Sequence, residues 1–524
     1  MKQPEALEFF HTVDVNDPNR PNRMCICISD VHFTDGTVGV QSRDDWDDFF
    51  DEVAFVCEDR KVEDLVFVLD GDVVDMIRTK HWAERGVYPW QRDHPEFPEI
   101  VKTIMQGIIA QHAGHADGHC PFFMRLKQLP TSLREKGVKS VNIVVLLGNH
   151  DKEILAAPEA LKLFYEECLG WRLEDIPEDY RLKVGRMYGD ENLFKSPDSV
   201  PWLPFYYADS GFRLFVTHGQ WRDGDNCRAL PEWSADDGWK LETWKQLRFR
   251  PFTDPCFGDT VAAGVLSGFI WKAKQALAEE DKQRIARAQE KSEDVSRLER
   301  VLDELDLYRP SYLAVSRIIE ETRRLRKHRP GLATTIETLL QESVSEWLSW
   351  DFTYDSALKK RRFGLKLLRW WLNLSSKLHL RLELRAIEWF MKILTAFRSH
   401  HRHEAVTFKE MKTFPAFLPE YRAYGFHIHG EGHTHNPLQE EPDIAPGQNY
   451  TYINFGTWRD QIVEKNAGHW FIKLLKWTRP SYRRRSVGRA LFVLDLKPAP
   501  GDTQRGFCYW VDDDLTWSDK LDWK

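Results

Sequence analysis

Short apolar runs, each ended abruptly by a polar residue, are the feature that most constrains the fold of this 524-residue chain. The runs span residues 24–29, 65–69, 141–147 and 212–217, and they are rich in β-branched side chains. Continuous apolar runs of this length are typical of strands that are buried on both faces. Polar residues just past such strands lie at the edge of a sheet, where open α/β sheets bind ligands. The pattern predicts a buried sheet with a polar site at one edge.

The polar residues form five motifs in a fixed order. They are Asp-Val-His at 30–32, Gly-Asp-Val-Val-Asp at 71–75, Gly-Asn-His-Asp at 148–151, His-Gly at 218–219 and Gly-His-Thr-His at 432–435. Side chains two residues apart on extended backbone point the same way, so Asp30 and His32 are expected to reach one metal ion together. His433 and His435 are expected either to share that ion or to divide between two neighbouring ions.

The residue types indicate the metal and the chemistry. Carboxylate, imidazole and amide oxygen without thiolate suit Mn, Fe or Zn, and Asp72 is expected to bridge two ions. Two metals about 3.5–4 Å apart can activate a water molecule and clamp a phosphoryl group. His150 is expected to donate a proton to the leaving oxygen or to stabilise the phosphate oxygens. Asp151 is expected to orient that imidazole, and Asp75 to lie behind the ligands.

Other polar residues compete with these assignments. Asp70, two residues before Asp72, is an alternative bridging carboxylate, although the glycine before Asp72 favours Asp72. His427 and His429 alternate just before the last motif and are expected to project from one face of the strand that leads into it.

The five motifs, taken in order, resemble those of the calcineurin-like metallophosphoesterase superfamily. The resemblance covers about residues 20–220 and 425–500. It implies an α/β fold, a four-layer α/β/β/α sandwich, here with a large helical insertion. It also implies the residue roles. One metal takes Asp30, His32, Asp72 and His435; the other takes Asp72, Asn149, His218 and His433; His150 is the catalytic imidazole, with Asp151 behind it.

The branch of the superfamily is indicated only in part. Residues 452–458, Tyr-Ile-Asn-Phe-Gly-Thr-Trp, resemble an element of the UDP-2,3-diacylglucosamine hydrolase branch. That branch usually has Arg where this chain has His150, so its lipid substrate is not carried over. Met76 follows Asp75, whereas the protein Ser/Thr phosphatase branch has Arg there.

The motifs divide the chain into a core and two insertions. The predicted core comprises residues 1–220 and 425–524, with a smaller insert at about 80–140 and a helical insert at 221–424. In the smaller insert, His112, His115 and His119 match no standard metal motif, so a surface helix is favoured over an extra metal site. In the larger insert, helices are predicted over 276–307, 312–327 and 332–350. This insert is a candidate lid, oligomerisation arm or partner-binding arm, or a decoration that packs on itself.

A basic segment follows these helices. Residues 359–403 contain 12 basic and two acidic residues, interleaved with aromatic and aliphatic ones. A basic, aromatic, amphipathic helix is typical of contact with an anionic membrane surface. The alternatives are packing against the other insert helices, or a funnel for an anionic substrate or nucleic acid. The candidate contact residues are Lys359, Lys360, Arg361, Arg362, Lys366, Arg369, Trp370 and Trp371.

Composition bounds the location and the partners. The formal net charge of −8 argues against a general nucleic-acid coat protein. The eight Cys include no C-x-x-C pair, and residues 1–20 lack the basic start and apolar core of a signal peptide. A cytoplasmic location is therefore expected, with the inner membrane face as the peripheral alternative.

The sequence predicts a metal-dependent phosphoesterase with two divalent ions, Mn first and Fe or Zn as alternatives. The substrate is a phosphorylated molecule: either a lipid-linked phosphate or pyrophosphate, or a nucleotide or nucleic acid. A non-catalytic binding scaffold with a helical interaction arm is the alternative of another class. It is disfavoured because such a scaffold predicts missing ligands, and here every ligand position is filled.

Overall fold

The computed structural model describes residues 7–11, 17, 19–39, 46–113, 121–227, 249–285, 293–309, 312–377, 406–445, 448–464, 482–498 and 505–512. The predicted apolar runs form strands: the first three become β1–β3, and the fourth becomes a shorter strand, β5. The described strands are β1 Arg23–Ile28, β2 Asp64–Asp70, β3 Ser140–Leu146, β4 Tyr207–Asp209, β5 Leu214–Val216, β6 Ile428–Glu431, β7 Leu438–Glu440, β8 Thr451–Asn454, β9 Gly456–Glu464, β10 Tyr482–Gly488, β11 Ala490–Leu496 and β12 Gly506–Asp512.

The strands form two mixed five-stranded sheets and a hairpin. The first sheet has the order β12-β11-β1-β2-β3, with β1, β2 and β3 parallel to one another. The second has the order β4-β5-β6-β8-β7, with β5, β6 and β8 parallel. β9 and β10 pair antiparallel as the hairpin. The parallel strands of each sheet are neighbours and run in the same direction, so their carboxyl ends gather at one edge.

The two sheets pack face to face, and strand alternation explains how. On β1, Cys25 and Cys27 point into an apolar cluster that includes Leu214 and Ile453 of the second sheet. Met24, Ile26 and Ile28 point the other way, into the cluster formed with the helices. Both faces of β1 are therefore buried, as its unbroken apolar run predicts.

Helices cover the outer faces, which confirms the α/β sandwich with extra helices. Longer helices cover the first sheet, whereas short helical turns around Phe414 cover the second. The centroid of the Phe414 ring lies 5.0 Å from that of His429 and 5.3 Å from that of Tyr452. The described α-helices are Asp47–Asp59, His81–Arg85, Phe97–His112, Phe122–Arg134, Pro158–Leu163, Glu178–Met187, Phe257–Asp259, Gly268–Ile285, Glu293–Asp303, Tyr312–His328, Pro330–Trp347, Asp351–Asp355, Lys359–Lys377 and Phe408–Met411.

The helices between residues 257 and 377 have an apolar core of their own. It is built from side chains such as Leu277, Leu298 and Leu340, and it also takes in Val38 and Ile462 from the sheet-bearing part. Buried ion pairs join the two parts: Lys152–Asp259, Arg459–Asp306 and Arg361–Asp225. The helices therefore pack on the rest of the chain as well as on one another.

The predicted helices at 312–327 and 332–350 are confirmed as Tyr312–His328 and Pro330–Trp347. The single long helix predicted over 276–307 is wrong. Helix Gly268–Ile285 and helix Glu293–Asp303 pack against each other, and residues 305–307 form a 3-10 turn. Leu277 on the first helix and Leu298 on the second are buried in the same core, so the apolar periodicity does not show that there are two helices. Within the described residues, no helix has the length and apolar character needed to cross a bilayer.

Candidate metal centre

The five polar motifs meet where the parallel strands of both sheets end. Asp30 follows β1, Asp72 follows β2, Asn149 follows β3 and His218 follows β5. His433 and His435 follow β6 in the same way. The carboxyl ends of parallel strands share an edge, so strand connectivity brings together residues more than 400 positions apart.

The backbone at these residues is left-handed rather than extended. In the described part of the chain, five of the seven non-glycine residues with positive φ are predicted ligands: Asp30 (55°), His32 (54°), Asp72 (49°), His433 (65°) and His435 (56°). The expectation that extended backbone aligns residues two apart is therefore wrong in its geometry. Such conformations cost about 1–3 kcal/mol each, persist where the surroundings enforce them, and cluster at functional sites.

Backbone contacts between the motifs enforce this conformation. The amide of His32 donates to the carbonyl of Asp72 (2.9 Å), and the amide of His433 donates to Oδ2 of Asp30 (2.8 Å). Two glycines permit the close approach. A Cβ atom on Gly148 would lie 2.2 Å from Oδ1 of Asp72, and one on Gly432 would lie 1.8 Å from Oγ of Ser29. The neighbouring chain therefore requires a glycine at each of these two positions.

One group of side chains that could hold a metal ion comprises Asp30, His32, Asp72 and His435. Nε2 of His435 lies 3.0 Å from Oδ1 of Asp30 and 3.1 Å from Nε2 of His32. Two imidazole nitrogens thus face each other, and a carboxylate oxygen lies at a similar distance. Ligands around a common cation have this arrangement. This set is the one that the resemblance implies for the first metal.

A second group that could hold a metal ion comprises Asp72, His218 and His433. Asn149 joins it, because its Oδ1 atom lies 2.8 Å from Nδ1 of His433. His218 donates from Nδ1 to the carbonyl of Asp70 (2.7 Å), which leaves Nε2 unprotonated in the neutral ring, 3.3 Å from Oδ2 of Asp72. The structure therefore brings together the four residues implied for the second metal.

Asp72 lies between the two groups. Its Oδ2 atom is 3.3 Å from Nε2 of His218 and 3.7 Å from Nε2 of His32, whereas its Oδ1 atom accepts the amide of His150 (2.7 Å). In the described part of the chain, Oδ1 of Asp30 and Nε2 of His218 are buried without a hydrogen-bond partner. Buried polar atoms are normally partnered. The oxygen and nitrogen donors here fit divalent cations, and the shared carboxylate fits two of them.

Asp75, and not Asp151, is the carboxylate that orients His150. Oδ1 of Asp75 lies 2.9 Å from Nδ1 of His150, and Oδ2 lies 3.1 Å from Nδ1 of His32. Asp151 instead accepts the backbone amides of Asp72 (2.6 Å), Val73 (2.9 Å), Val74 and Gly148. The expected role of Asp151 is therefore corrected. Its carboxylate turns back on the chain and fixes the loop that carries Asp72, which is a short-range effect that residue adjacency does not show.

Electrostatics couples Asp75 and His150. Burial favours the neutral acid, but His150 and Arg78 outweigh it and hold the pKa of Asp75 well below its usual range. Burial likewise lowers the pKa of His150, but Asp75 and Asp72 outweigh it and raise that pKa. The side chain of His150 is 13% exposed, whereas that of Asp75 is fully buried. His150 can therefore meet a substrate, while Asp75 can act only through the side chains that it contacts, His150 and His32.

Asp223 is a site residue that the sequence did not reveal. Its Oδ2 atom lies 3.1 Å from Nε2 of His433, on the opposite side of the ring from Asn149. The amide of Asp225 donates to Oδ1 of Asp223 (3.0 Å), and Nδ2 of Asn226 donates to its Oδ2 (2.6 Å). The signal that the sequence offers for this residue is a carboxylate five positions after His218. Carboxylates on the far nitrogen of a metal-binding histidine fix the ring and raise its basicity.

The run at residues 452–458 supports the ligand loops from below. Asn454 donates to the carbonyl of Gly432 (2.7 Å), and Thr457 donates to the carbonyl of Asp30 (2.8 Å). Gln461, on the same hairpin, donates to the carbonyl of His435 (2.6 Å). This run therefore positions the backbone of the ligand residues.

The competing residues lie outside the two groups. Asp70 is buried, and burial raises the pKa of its carboxyl well above the usual range. His429 lies 3.2 Å from Glu431, and His427 contacts the carbonyl of Asn449 (3.0 Å). Nε2 of His112 contacts the carbonyl of Thr34 (3.1 Å). His115 and His119 lie outside the described residues.

The basic helix, Lys359–Lys377, divides the candidate contact residues. Arg361 is only 4% exposed, so its assignment as a surface contact is wrong: it pairs with Asp225 and lies over the ring of Phe257. Arg362 and Trp371 are half-buried, whereas Lys359, Lys366, Arg369 and Trp370 are exposed; the side chain of Lys360 lies outside the described part.

Comparison with known proteins finds a similarity to one family. A family model described as Calcineurin-like phosphoesterase matches residues 25–268, which include the first four motifs but not His433 and His435. No curated protein and no solved structure matches the chain. The resemblance inferred from the motifs is confirmed. The proposed likeness to the UDP-2,3-diacylglucosamine hydrolase branch stays a prediction.

Proposed function

We propose that this chain, which carries a calcineurin-like phosphoesterase segment at residues 25–268, hydrolyses phosphate esters with the help of two divalent metal ions. The observation that carries the proposal is the position of Asp72, which belongs to two of the three groups of described side chains that could hold a metal; the third is His32, Asp75 and His150. A single carboxylate flanked by two histidine-bearing sets is the arrangement that a two-ion centre needs.

Asp72 would be common to the two metal sites. Asp30, His32 and His435 would complete one site, and Asn149, His218 and His433 the other. Such a metal pair activates water and clamps the phosphoryl group when bound. Mn is the expected metal, and Fe or Zn the alternatives, because all the donors are oxygen or nitrogen.

His150 is the proton donor in this proposal. Asp75 holds Nδ1 of the ring at 2.9 Å, so Nε2 is the atom available to the leaving oxygen. Because the Asp75 carboxylate stabilises the protonated ring, the pair supplies a proton at a fixed position. Arg78, 3.0 Å from Asp75, keeps that carboxylate ionised.

The function is tested by hydrolysis of p-nitrophenyl phosphate and bis-p-nitrophenyl phosphate with metal-stripped protein. Turnover is expected to return when Mn, Fe or Zn is added, and the ratio of diester to monoester rates narrows the substrate class. Protein that binds two ions but turns over neither ester, even at high substrate concentration, would favour the non-catalytic scaffold.

Replacing His150 by alanine is expected to leave metal binding intact and to lower kcat by about 10²–10⁴-fold. Asp75→Asn is expected to lower kcat by less and to shift the alkaline side of the pH profile to lower pH, since the asparagine cannot stabilise the protonated ring. The rates are measured on p-nitrophenyl phosphate and on a phenyl ester with a poorer leaving group. Full activity of His150→Ala on the poorer ester would contradict the role of proton donor.

Replacing Asp223 by alanine is expected to weaken metal binding by about 10–100-fold, the usual effect of losing such a partner of a ligand histidine. Titration of metal-stripped protein with Mn, followed by calorimetry, measures the affinity directly. Asp223→Asn keeps the shape but not the charge and is expected to fall between the alanine variant and the unsubstituted protein. Unchanged affinity in both variants would show that Asp223 serves only its own loop.

The finer proposal is a lipid-linked phosphate or pyrophosphate as substrate, supported by the exposed aromatic and basic residues of the helix Lys359–Lys377. Nucleotide or nucleic-acid phosphodiester hydrolysis is the alternative, supported by the same cations. Self-association through the helical part stays a prediction.

A further inference from the structure

The basic helix, Lys359–Lys377, has two faces of opposite character. One face is buried against the helical core through Leu365 (0% exposed) and Leu368 (3%), with Arg361 beside them. These positions lie three and four residues apart and therefore form one stripe. Among the described side chains of the helix, this stripe packs against the helical core, together with the half-buried Trp371.

The opposite face exposes large apolar side chains. Phe363 is 75% exposed, Leu367 51% and Trp370 60%. They lie at i, i+4 and i+7, so they form a second stripe, with Lys366 exposed within it. Five large apolar side chains are exposed among the described residues, and three of them lie on this face. Such a concentration of exposed apolar surface indicates an interaction site.

Charge identifies the kind of partner. Residues 359–377 contain seven basic and no acidic residues, in a chain whose net charge is −8. A face with an apolar centre and basic flanks is complementary to the interface of an anionic bilayer, which takes up the apolar side chains and attracts the cations. A nucleic-acid surface would pair with the cations but would leave Phe363 and Leu367 in water.

We infer that this face, formed by Phe363, Lys366, Leu367 and Trp370, docks on an anionic lipid bilayer. Together with the proposed function, on which this step rests, docking implies that the substrate is an amphipathic phosphate ester drawn from that bilayer. The face lies on the helix surface and leaves the buried stripe in place.

A chain of contacts joins the docking helix to the candidate metal centre. Arg361, on the buried side of the helix, pairs with Asp225, and the amide of Asp225 donates to Asp223. Asp223 in turn contacts His433. Only a few side chains therefore separate the docking helix from a predicted ligand, so a docked helix holds the centre near the bilayer.

Flotation of the full chain with phosphatidylcholine vesicles, with and without about a third phosphatidylglycerol, tests the inference. The unsubstituted protein is expected to float with the anionic vesicles only, and added salt is expected to weaken binding. The triple variant Phe363→Ser/Leu367→Ser/Trp370→Ser is expected to lower the partition coefficient by about tenfold or more. The matched control, Phe55→Ser/Phe408→Ser, removes exposed apolar side chains elsewhere and is expected to bind as before.

Turnover of bis-p-nitrophenyl phosphate, which is water-soluble, separates this inference from the proposed function. It is expected to be unchanged in the triple variant, which also shows that the variant is folded. Active protein that ignores anionic vesicles, or a triple variant that still floats, would overturn the docking surface alone. Vesicle binding without any turnover would overturn the proposed function instead. Salt-sensitive DNA binding in place of vesicle binding would assign the face to nucleic acid and also overturn the inference.

Discussion

Replacing Asp72 by alanine is expected to abolish hydrolysis of nitrophenyl phosphate esters and to reduce bound metal below two ions per chain. Oδ2 of Asp72 is the oxygen that both groups share, at 3.3 Å from His218 and 3.7 Å from His32. Without it, two cations would lose their common anion and would repel each other across the gap. Metal content by mass spectrometry and turnover on the two nitrophenyl esters measure the effect.

Asp70→Asn is the matched control for that variant. Asp70 lies two residues away and is equally buried, but neither of its carboxylate oxygens has a hydrogen-bond partner among the described residues. Burial raises its pKa well above the usual range, so an uncharged amide of the same shape is expected to keep metal content and turnover. Loss of activity in Asp70→Asn with retention in Asp72→Ala would reverse the assignment of the bridging carboxylate.

Replacing Lys152 by methionine is expected to lower the free energy of unfolding by about 3–5 kcal/mol, the usual cost of removing one partner of a buried ion pair. Nζ of Lys152 donates to Oδ1 of Asp259 (2.8 Å) and contacts Sγ of Cys256 (3.1 Å). The lysine side chain is 0% exposed and that of Asp259 is 3% exposed, so solvent cannot replace the lost cation. Urea unfolding followed by tryptophan fluorescence measures the change.

Two further variants make this result specific. Lys152→Met/Asp259→Leu removes both charges and is expected to recover much of the lost stability, because no unpaired charge remains. Lys139→Met applies the same substitution to a surface lysine paired with Glu63 and is expected to change stability little. If Lys152→Met and Lys139→Met unfolded at the same urea concentration, the Lys152–Asp259 pair would not stabilise the packing of the helices on the sheet-bearing part.

The sequence predicted four of the twelve described strands, β1, β2, β3 and β5, and the gathering of the ligand residues at their ends, because both depend on local sequence patterns. An unbroken apolar run predicts a strand buried on both faces, and β1 has that burial. The end of each run then predicts which edge its polar residues occupy. Asp30 and His435 meet for this reason, although 405 positions separate them.

The details of the centre depend on contacts that no local pattern records. Asp151 follows His150 directly, yet its carboxylate turns to the loop of Asp72 and leaves the imidazole to Asp75. Asp223 reaches His433 only because two loops from different strands meet. Arg361 and Lys366 are both basic residues on one amphipathic helix, but the neighbouring Asp225 decides which of them is buried.

The ends of the helices show the same difference between what local patterns predict and what long-range contacts decide. The apolar periodicity over 276–307 predicts helix, and both helices found there bury apolar side chains in the same core. Periodicity reports which side of a helix is covered, but it is unchanged when the chain turns back and buries the same side against the same neighbours.

The left-handed ligand residues have a consequence for how the protein can be altered. Glycine adopts positive φ without the steric cost that aspartate and histidine pay, so these five residues keep a backbone strain that glycine would relieve. Selection for heat resistance alone would therefore not protect these residues, whereas selection for turnover would keep them. Efforts to stabilise this protein need an activity screen from the first round.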